Sequence, residues 1–376
     1  MPITDIRPTV LLERALWSRP EAHSTRIAAD DRTREVGPGY KPRTPGSVLV
    51  EIESDDGLVG LGLGGGGHPG AYVIEHYLKP LLLGQDPVKT QSLWERMYRA
   101  TIRYGQAGIV LMAMSGIDLA LWDLRGKQAD KPVYDILGEK RKERVPVYVT
   151  NREPSWAKER GFAGVKFGAP YGPLDGQEGM RKNEAFIASA REQVGPDVDL
   201  MIDCSCTWDV EYTIEMAHIL APYGLAFIEE PLLPNNIAGY SELRRKIDST
   251  RIATGEHFYT HHAFRPLLET EGADIIQPDI RWTGGLSELL RIYDLATEYD
   301  IPVLPHRGGM AWSLHFILAH ENCPLAEGLP LTEQEAVQSV FAGEPVPTDG
   351  YLTVGDSPGF GLRLIEDRIP EFRIGD

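Results

Sequence analysis

Five acidic or basic residues mark the second half of the sequence at intervals of 23 to 27 residues: Asp203, Glu229, Glu256, Asp279 and His306. Each closes a short apolar run, as in Leu200-Met201-Ile202-Asp203, Phe227-Ile228-Glu229, Ile275-Ile276-Gln277-Pro278-Asp279 and Val303-Leu304-Pro305-His306. Three carboxylates in succession offer hard oxygen ligands of the kind that suits Mg²⁺, which keeps waters or substrate oxygens in its remaining octahedral positions. An aspartate followed one interval later by a histidine suits a pair in which the carboxylate orients the imidazole and raises its basicity. A metal and a base facing one substrate fit removal of a proton from the carbon beside a carboxylate. The dianion formed there needs a cation to neutralise it and a His or Lys to take the proton.

The elements that must hold these residues follow from the spacing. Apolar runs of four or five residues bounded by Gly, Pro or Asp read as buried strands. Between them lie helical stretches such as Glu211 to Leu220 and Leu286 to Ala296. A (β/α)₈ barrel spends roughly 30 residues per unit and carries its chemistry at the C-terminal strand ends. All five residues fall at such ends and so converge on one mouth. We therefore expect an α/β fold, a modified TIM barrel over residues 131–327, with strands at Val145 to Val149, Gly164 to Phe167 and onward through Ile301 to His306.

Before the barrel, the sequence predicts a strand to about residue 18 and a hairpin of Ser47 to Glu53 with Leu58 to Leu61. Helices are expected over Tyr72 to Leu83, Thr90 to Thr101 and Gly108 to Lys127. Strands followed by helices make an α+β capping domain, residues 1–130. Residues 328–376, rich in Pro and Gly, are expected to return to the cap. The polar stretch from Ser18 to Pro45 has no period and carries His23 and Arg26. Loops of that length are usually functional or mobile.

A chain of 376 residues with 42% apolar content has ample core for a barrel and a smaller domain. Its net charge of −17 argues against nucleic acid or an anionic membrane surface as partner. Three cysteines are too few and too oddly spaced for a disulfide framework, and neither an export signal nor an apolar stretch of ~18 residues is visible. The expected setting is cytoplasmic and the expected partner a small molecule.

Lys166, Asp203, Ile228-Glu229-Glu230-Pro231, Thr254-Gly255-Glu256-His257, Gln277-Pro278-Asp279 and Pro305-His306, with Gly116-Ile117-Asp118-Leu119-Ala120-Leu121-Trp122-Asp123 before the barrel, resemble the enolase superfamily. Within it they are similar to the mandelate racemase branch, which pairs a sixth-strand Asp with a seventh-strand His. The resemblance implies that Asp203, Glu229 and Glu256 bind Mg²⁺, that Asp279 and His306 form the catalytic dyad, and that Glu327 helps hold the substrate carboxylate. It also implies a homo-oligomer, the usual state of such symmetric assemblies. A racemase of this branch carries Lys-x-Lys on the second strand, whereas Lys166 is followed by Phe167 and Gly168. With one base, syn elimination is natural: His306 takes the α-proton, then protonates the departing β-hydroxyl. The expected reaction is dehydration of an acid sugar, a five- or six-carbon aldonic acid, to a 2-keto-3-deoxy acid. Alternatives are an epimerase, an aldaric acid dehydratase, or a catalytically silent barrel used for binding or assembly.

Other residues carry two readings each. Lys166 is either an ion-pair partner at the mouth or electrostatic help for the substrate carboxylate. Gly62 to Gly67 matches G-x-G-x-x-G but follows a hairpin, so dinucleotide binding is rejected in favour of a flexible cap loop. On that loop His68 is near the substrate or simply exposed. His23 and Arg26 are lid candidates or members of a solvated loop. His257 is expected to face the substrate, while His261 and His262 read as surface residues at a helix start. Cys204 and Cys206 read as buried small side chains rather than a thiolate metal site.

Overall fold

The computed structural model describes residues 1–11, 46–150, 153–328 and 340–373. His23 and Arg26 lie outside the described residues. Ile3–Leu11 (β1), Ser47–Ser54 (β2) and Val59–Gly64 (β3) form an antiparallel sheet in that order. The helix Ile109–Ala129 packs on it, burying Leu111, Met114, Ile117, Leu121 and Leu124. The helix expected from Tyr72 begins at Gly67 instead, and passes through a π turn at Ile74–Leu78 before Lys79–Leu82. Thr90–Thr101 is helical as read from its period.

The glycine run is not a loop over the mouth. Gly62 and Gly64 belong to β3, and Gly67 opens a helix on whose first turn His68 is exposed. The reason is close packing. A Cβ on Gly60, Gly62 or Gly64 would lie 2.1 Å from Ala120 O, 2.0 Å from Gly116 O and 2.3 Å from Met112 O. Gly62→Ala is expected to cost about 1–3 kcal/mol through overpacking, read as a lower denaturant midpoint. An unchanged midpoint would contradict this close approach.

The catalytic body is a curled parallel sheet. Val145–Thr150 (β4), Gly164–Gly168 (β5), Asp199–Asp203 (β6), Leu225–Glu229 (β7), Arg251–Thr254 (β8), Ile275–Ile276 (β9) and Ala326–Gly328 (β10) run in the order β10-β4-β5-β6-β7-β8-β9. Tyr148, Met201, Phe227, Ala253 and Ile275, one each from β4, β6, β7, β8 and β9, fill its interior together with Leu304. The strand expected from Ile301 to His306 is reduced to one parallel bridge, Ile276 with Val303. Pro302 and Pro305 flank that bridge and remove two amide donors, so a longer ladder cannot form.

Of the later strands, Phe341–Ala342 (β11) pairs with Arg363–Leu364 (β13), and Tyr351–Leu352 (β12) pairs antiparallel with β4. Between β12 and β13 the chain reaches the cap. Asp123 Oδ1 accepts from Phe360 N at 2.8 Å while its Oδ2 accepts from Leu61 N at 2.8 Å. No helix among the described residues is long and apolar enough to cross a membrane.

Four bonds clasp the loop after β9 to the cap helices. Trp94 Nε1 donates to Gly284 O at 2.7 Å and Gly284 N to Ser115 Oγ at 2.9 Å. Ser287 N donates to Asp118 Oδ2 at 2.8 Å, and Trp122 Nε1 to Ser287 Oγ at 2.9 Å. Burial raises the Asp118 carboxyl from 3.8 to about 7. The unfolded chain releases this proton near 3.8 and the folded chain keeps it to about 7, so stability falls as pH rises through that window and levels above it. Asp118→Asn, neutral throughout, is expected to flatten the slope, giving an unfolding temperature a few degrees above that of the parent at pH 8 relative to pH 5. An identical slope would remove Asp118 as its source.

Candidate active site

Backbone register brings the site together before any side chain is considered. Asp203 and Glu229 are partners across β6 and β7, and Gly168 opposes Asp203 across β5 and β6. Side chains alternate along a strand. Val165 and Phe167 therefore join the outer core, leaving Lys166 inside with Tyr148, its Nζ 5.7 Å from that ring.

His306 Nδ1 lies 2.8 Å from Asp279 Oδ2, and both side chains are buried. The carboxylate accepts the Nδ1 proton, which leaves Nε2 of neutral His306 as the acceptor facing the mouth. That nitrogen is 3.4 Å from Glu256 Oε2. Burial opposes the imidazolium, but Glu256 and Asp279 outweigh it and raise the His306 pKa. Burial likewise opposes ionisation of Asp279, while Arg281, with its Nη2 at 3.5 Å, and His306 pull the carboxyl well below its usual range.

Lys166 forms ion pairs with Glu229 and, at 2.9 Å, with Glu327 Oε1. Burial favours the neutral amine, yet these two carboxylates raise its pKa well above the ordinary value. Both ion pairs favour the ammonium form of Lys166. Glu327 is drawn down to about 2, burial being overcome by Lys166 and His306. It also accepts from Thr150 Oγ1 at 3.0 Å and from Arg307 N at 2.8 Å.

The carboxylates outnumber their cations. Burial and neighbouring acids raise Glu229 well above its usual range and Glu256 up to about 7. Glu229 accepts from Gln277 Nε2 at 2.7 Å, and Asp203 from Ser205 N at 2.8 Å. Glu230, buried beside Glu229, has one oxygen without a partner and accepts on the other from His257 Nδ1 at 2.8 Å. Glu230 holds His257 charged against burial, raising its pKa to about 9.

Several of these residues escaped the sequence reading. Gln277 stands two residues before Asp279 on the same extended run, so period-two alternation alone would have placed it in the site. Arg281 repeats that step. The Trp282 ring lies 5.5 Å from His306 and 5.7 Å from His257 and walls the space between them. No pattern signals it. His261 reaches the surface only in part and is paired there: its Nδ1 lies 2.6 Å and its backbone N 2.7 Å from buried Glu288 Oε1, because the helix start packs against Leu286–Glu298. His262 is exposed.

A curled parallel sheet with acids and one dyad on its C-terminal strand ends, under an α+β cap, defines an enolase-type barrel. Residues 152–368 match the model for the enolase C-terminal domain-like family, and residues 42–138 that for the N-terminal domain of mandelate racemase / muconate lactonizing enzyme. The chain belongs to the mandelate racemase / muconate lactonizing enzyme family of the enolase superfamily. It is 43% identical over 325 residues to L-rhamnonate dehydratase of Saccharopolyspora erythraea, covering 85% of this chain and 83% of that one. The crystal structure of rhamnonate dehydratase from Gibberella zeae complexed with Mg superposes with a TM-score of 0.87 at 36% identity, covering 99% and 96%. The 3,6-anhydro-D-galactonate cycloisomerase from Zobellia galactanivorans gives 0.83 at 27% identity, covering all of both chains.

Proposed function

We propose that this chain dehydrates L-rhamnonate, or an aldonic acid of related stereochemistry, to the 2-keto-3-deoxy acid with Mg²⁺ as cofactor. That it is a hydro-lyase acting on acid sugars follows from its likeness to the rhamnonate dehydratases. The observation that carries the mechanism is one orientable base, His306 on Asp279, opposite an amine whose ion pairs favour the ammonium form.

Asp203, Glu229 and Glu256 would hold the metal: they are oxygen donors on successive strand ends, and the uncompensated negative charge among them fits a divalent cation. Mg²⁺ bound there supplies positive charge against the charge that builds on the substrate carboxylate. Neutral His306 Nε2 takes the C2 proton, and Asp279 stabilises the imidazolium that forms. The C3–O bond then breaks as the same imidazolium returns the proton to the leaving hydroxyl, so water departs and the enol tautomerises to the ketone. Lys166 and Glu327 attend the carboxylate end. His257, 37% exposed beside Glu256, is placed to bind a substrate hydroxyl.

Two features support elimination over epimerisation. Gly168, two residues after Lys166 and on the same face of β5, has no side chain to act as a second base, while the intervening Phe167 packs into the outer core. The ion pairs of Lys166 also favour its protonated form, which has no lone pair. Proton NMR in D₂O with Mg²⁺ and a panel of aldonic and aldaric acids tests the proposal. Loss of the C2 proton with new C3 signals of a 3-deoxy acid carrying one solvent deuterium at C3, from L-rhamnonate or a stereochemical relative, is expected. Deuterium entry at C2 without elimination, or turnover of aldaric acids alone, would overturn it.

A further inference from the structure

The strand ends that carry Asp203, Glu229 and Glu256 carry a second set of side chains just beyond them. Cys206, Glu230 and His257 follow those three residues by three, one and one positions. Their ligating atoms, Sγ, a carboxylate oxygen and an imidazole nitrogen, all lie within 4.8 Å of one another, the one such trio among the described residues. Glu230 Oε2 is the hub, 2.8 Å from His257 Nδ1 and 3.3 Å from Cys206 Sγ. Its other oxygen, buried, has no partner. Glu256 Oε1, 3.7 Å from His257 Nδ1, stands at a fourth corner.

The backbone holds the trio in place. Cys206 N donates to Glu230 O at 2.7 Å, Cys204 N to Glu229 O at 2.9 Å, and Glu230 N to Ala253 O at 2.9 Å. Ser205, Cys206 and Glu230 all have positive φ, so the chain turns each side chain to its place at a local cost that surrounding bonds must offset. Access comes from the side of His257, which is 37% exposed, whereas Glu230 is 2% exposed.

A tetrahedral ion with Zn–S near 2.3 Å and Zn–N near 2.0 Å holds its ligands roughly 3.3–3.8 Å apart. The two edges at Glu230 Oε2, 2.8 Å to His257 Nδ1 and 3.3 Å to Cys206 Sγ, would open by about half an ångström or less to accept one, and the third edge lies within 4.8 Å. Thiolate, imidazole and one carboxylate are the ligands of a soft or borderline ion, and Mg²⁺ disfavours the first two. We infer that Cys206, Glu230 and His257 form a second cation site, selective for a thiophilic divalent ion such as Zn²⁺, and that filling it inhibits the enzyme. Inhibition follows from geometry: the ion claims His257, draws in Glu256 beside His306 Nε2, and narrows the mouth next to Trp282. Binding exchanges two protons for the metal, that of the Cys206 thiol and the Nδ1 proton that the His257 imidazolium shares with Glu230, and releases both to solvent.

Co²⁺ is the probe, because a cobalt–thiolate bond gives a near-ultraviolet charge-transfer band that needs no substrate and so reports independently of the proposed activity. In full-length protein with excess Mg²⁺, Co²⁺ is expected to develop this band at one ion per chain, and ZnCl₂ to abolish it. Zn²⁺ over the same concentrations is expected to inhibit turnover. Cys206→Ser should lose the band and weaken Zn²⁺ inhibition by at least about tenfold, whereas Cys204→Ser should keep both. Circular dichroism of each variant establishes that it is folded. No band under Mg²⁺, a band that survives Cys206→Ser, or Zn²⁺ inhibition unchanged in that variant would overturn the site. The last result would place Zn²⁺ on the Mg²⁺ carboxylates instead.

Discussion

His306→Asn is expected to lower kcat by about 10⁴-fold, the upper end of what a positioned acid or base contributes. One ring carries both proton transfers, so its loss removes the C2 deprotonation and the protonation of the leaving hydroxyl together. Asp279 does not substitute for it. Arg281, which the variant keeps, is the largest influence lowering the Asp279 carboxyl, so it is too weak a base to take a carbon-bound proton. In D₂O the variant is expected to show neither elimination nor deuterium at C2, while its Mg²⁺-dependent stabilisation persists. Residual activity within tenfold of the parent would take the base role from His306. Deuterium exchange without elimination would assign the acid step to His306 and the base step elsewhere.

Chelation with EDTA is expected to bring turnover to background, a fall of about 10³-fold or more given the several kcal/mol a bound cation contributes to a developing dianion. Added Mg²⁺ should restore it. The same carboxylates make a second readout available without substrate. Glu229, buried, and Glu256, half-buried, stand with Asp203 at successive strand ends and carry more negative charge than their protein partners neutralise. An ion that binds only the folded chain adds about 2.7 kcal/mol at a hundredfold excess over Kd. The unfolding temperature should therefore rise with MgCl₂ and fall back with EDTA. Activity indifferent to EDTA would sink the metal assignment, and activity lost without any thermal shift would place the ion outside this carboxylate set.

The strand ends were legible because each polar residue terminates an apolar run, and a buried parallel strand has few other ways to look. The dyad was legible because Asp279 and His306 sit one unit apart. The glycine run misled because a strand whose alternate residues are glycine has no side chains to show its period, and the reason for those glycines lies 48 to 60 residues away in the Ile109–Ala129 helix. The seventh strand shrank to a bridge because two prolines interrupt it, which the apolar content of Ile301 to Leu304 conceals. Contacts made by tertiary packing left no local trace: Trp282 against His306, His261 on Glu288, and the meeting of Cys206, Glu230 and His257 across three loops.

The clasp between Trp94, Ser115, Asp118, Trp122 and the Gly284–Ser287 turn joins the cap to the loop that carries Asp279. The cap is therefore not a removable lid, and a barrel excised at residue 131 would not be a minimal enzyme. It would leave two backbone amides, one carbonyl and a serine hydroxyl bare on the segment that sets the pitch of the His306 ring. Substitutions in the cap helices that face this turn therefore reach the segment that bears Asp279, although they touch no residue of the site itself.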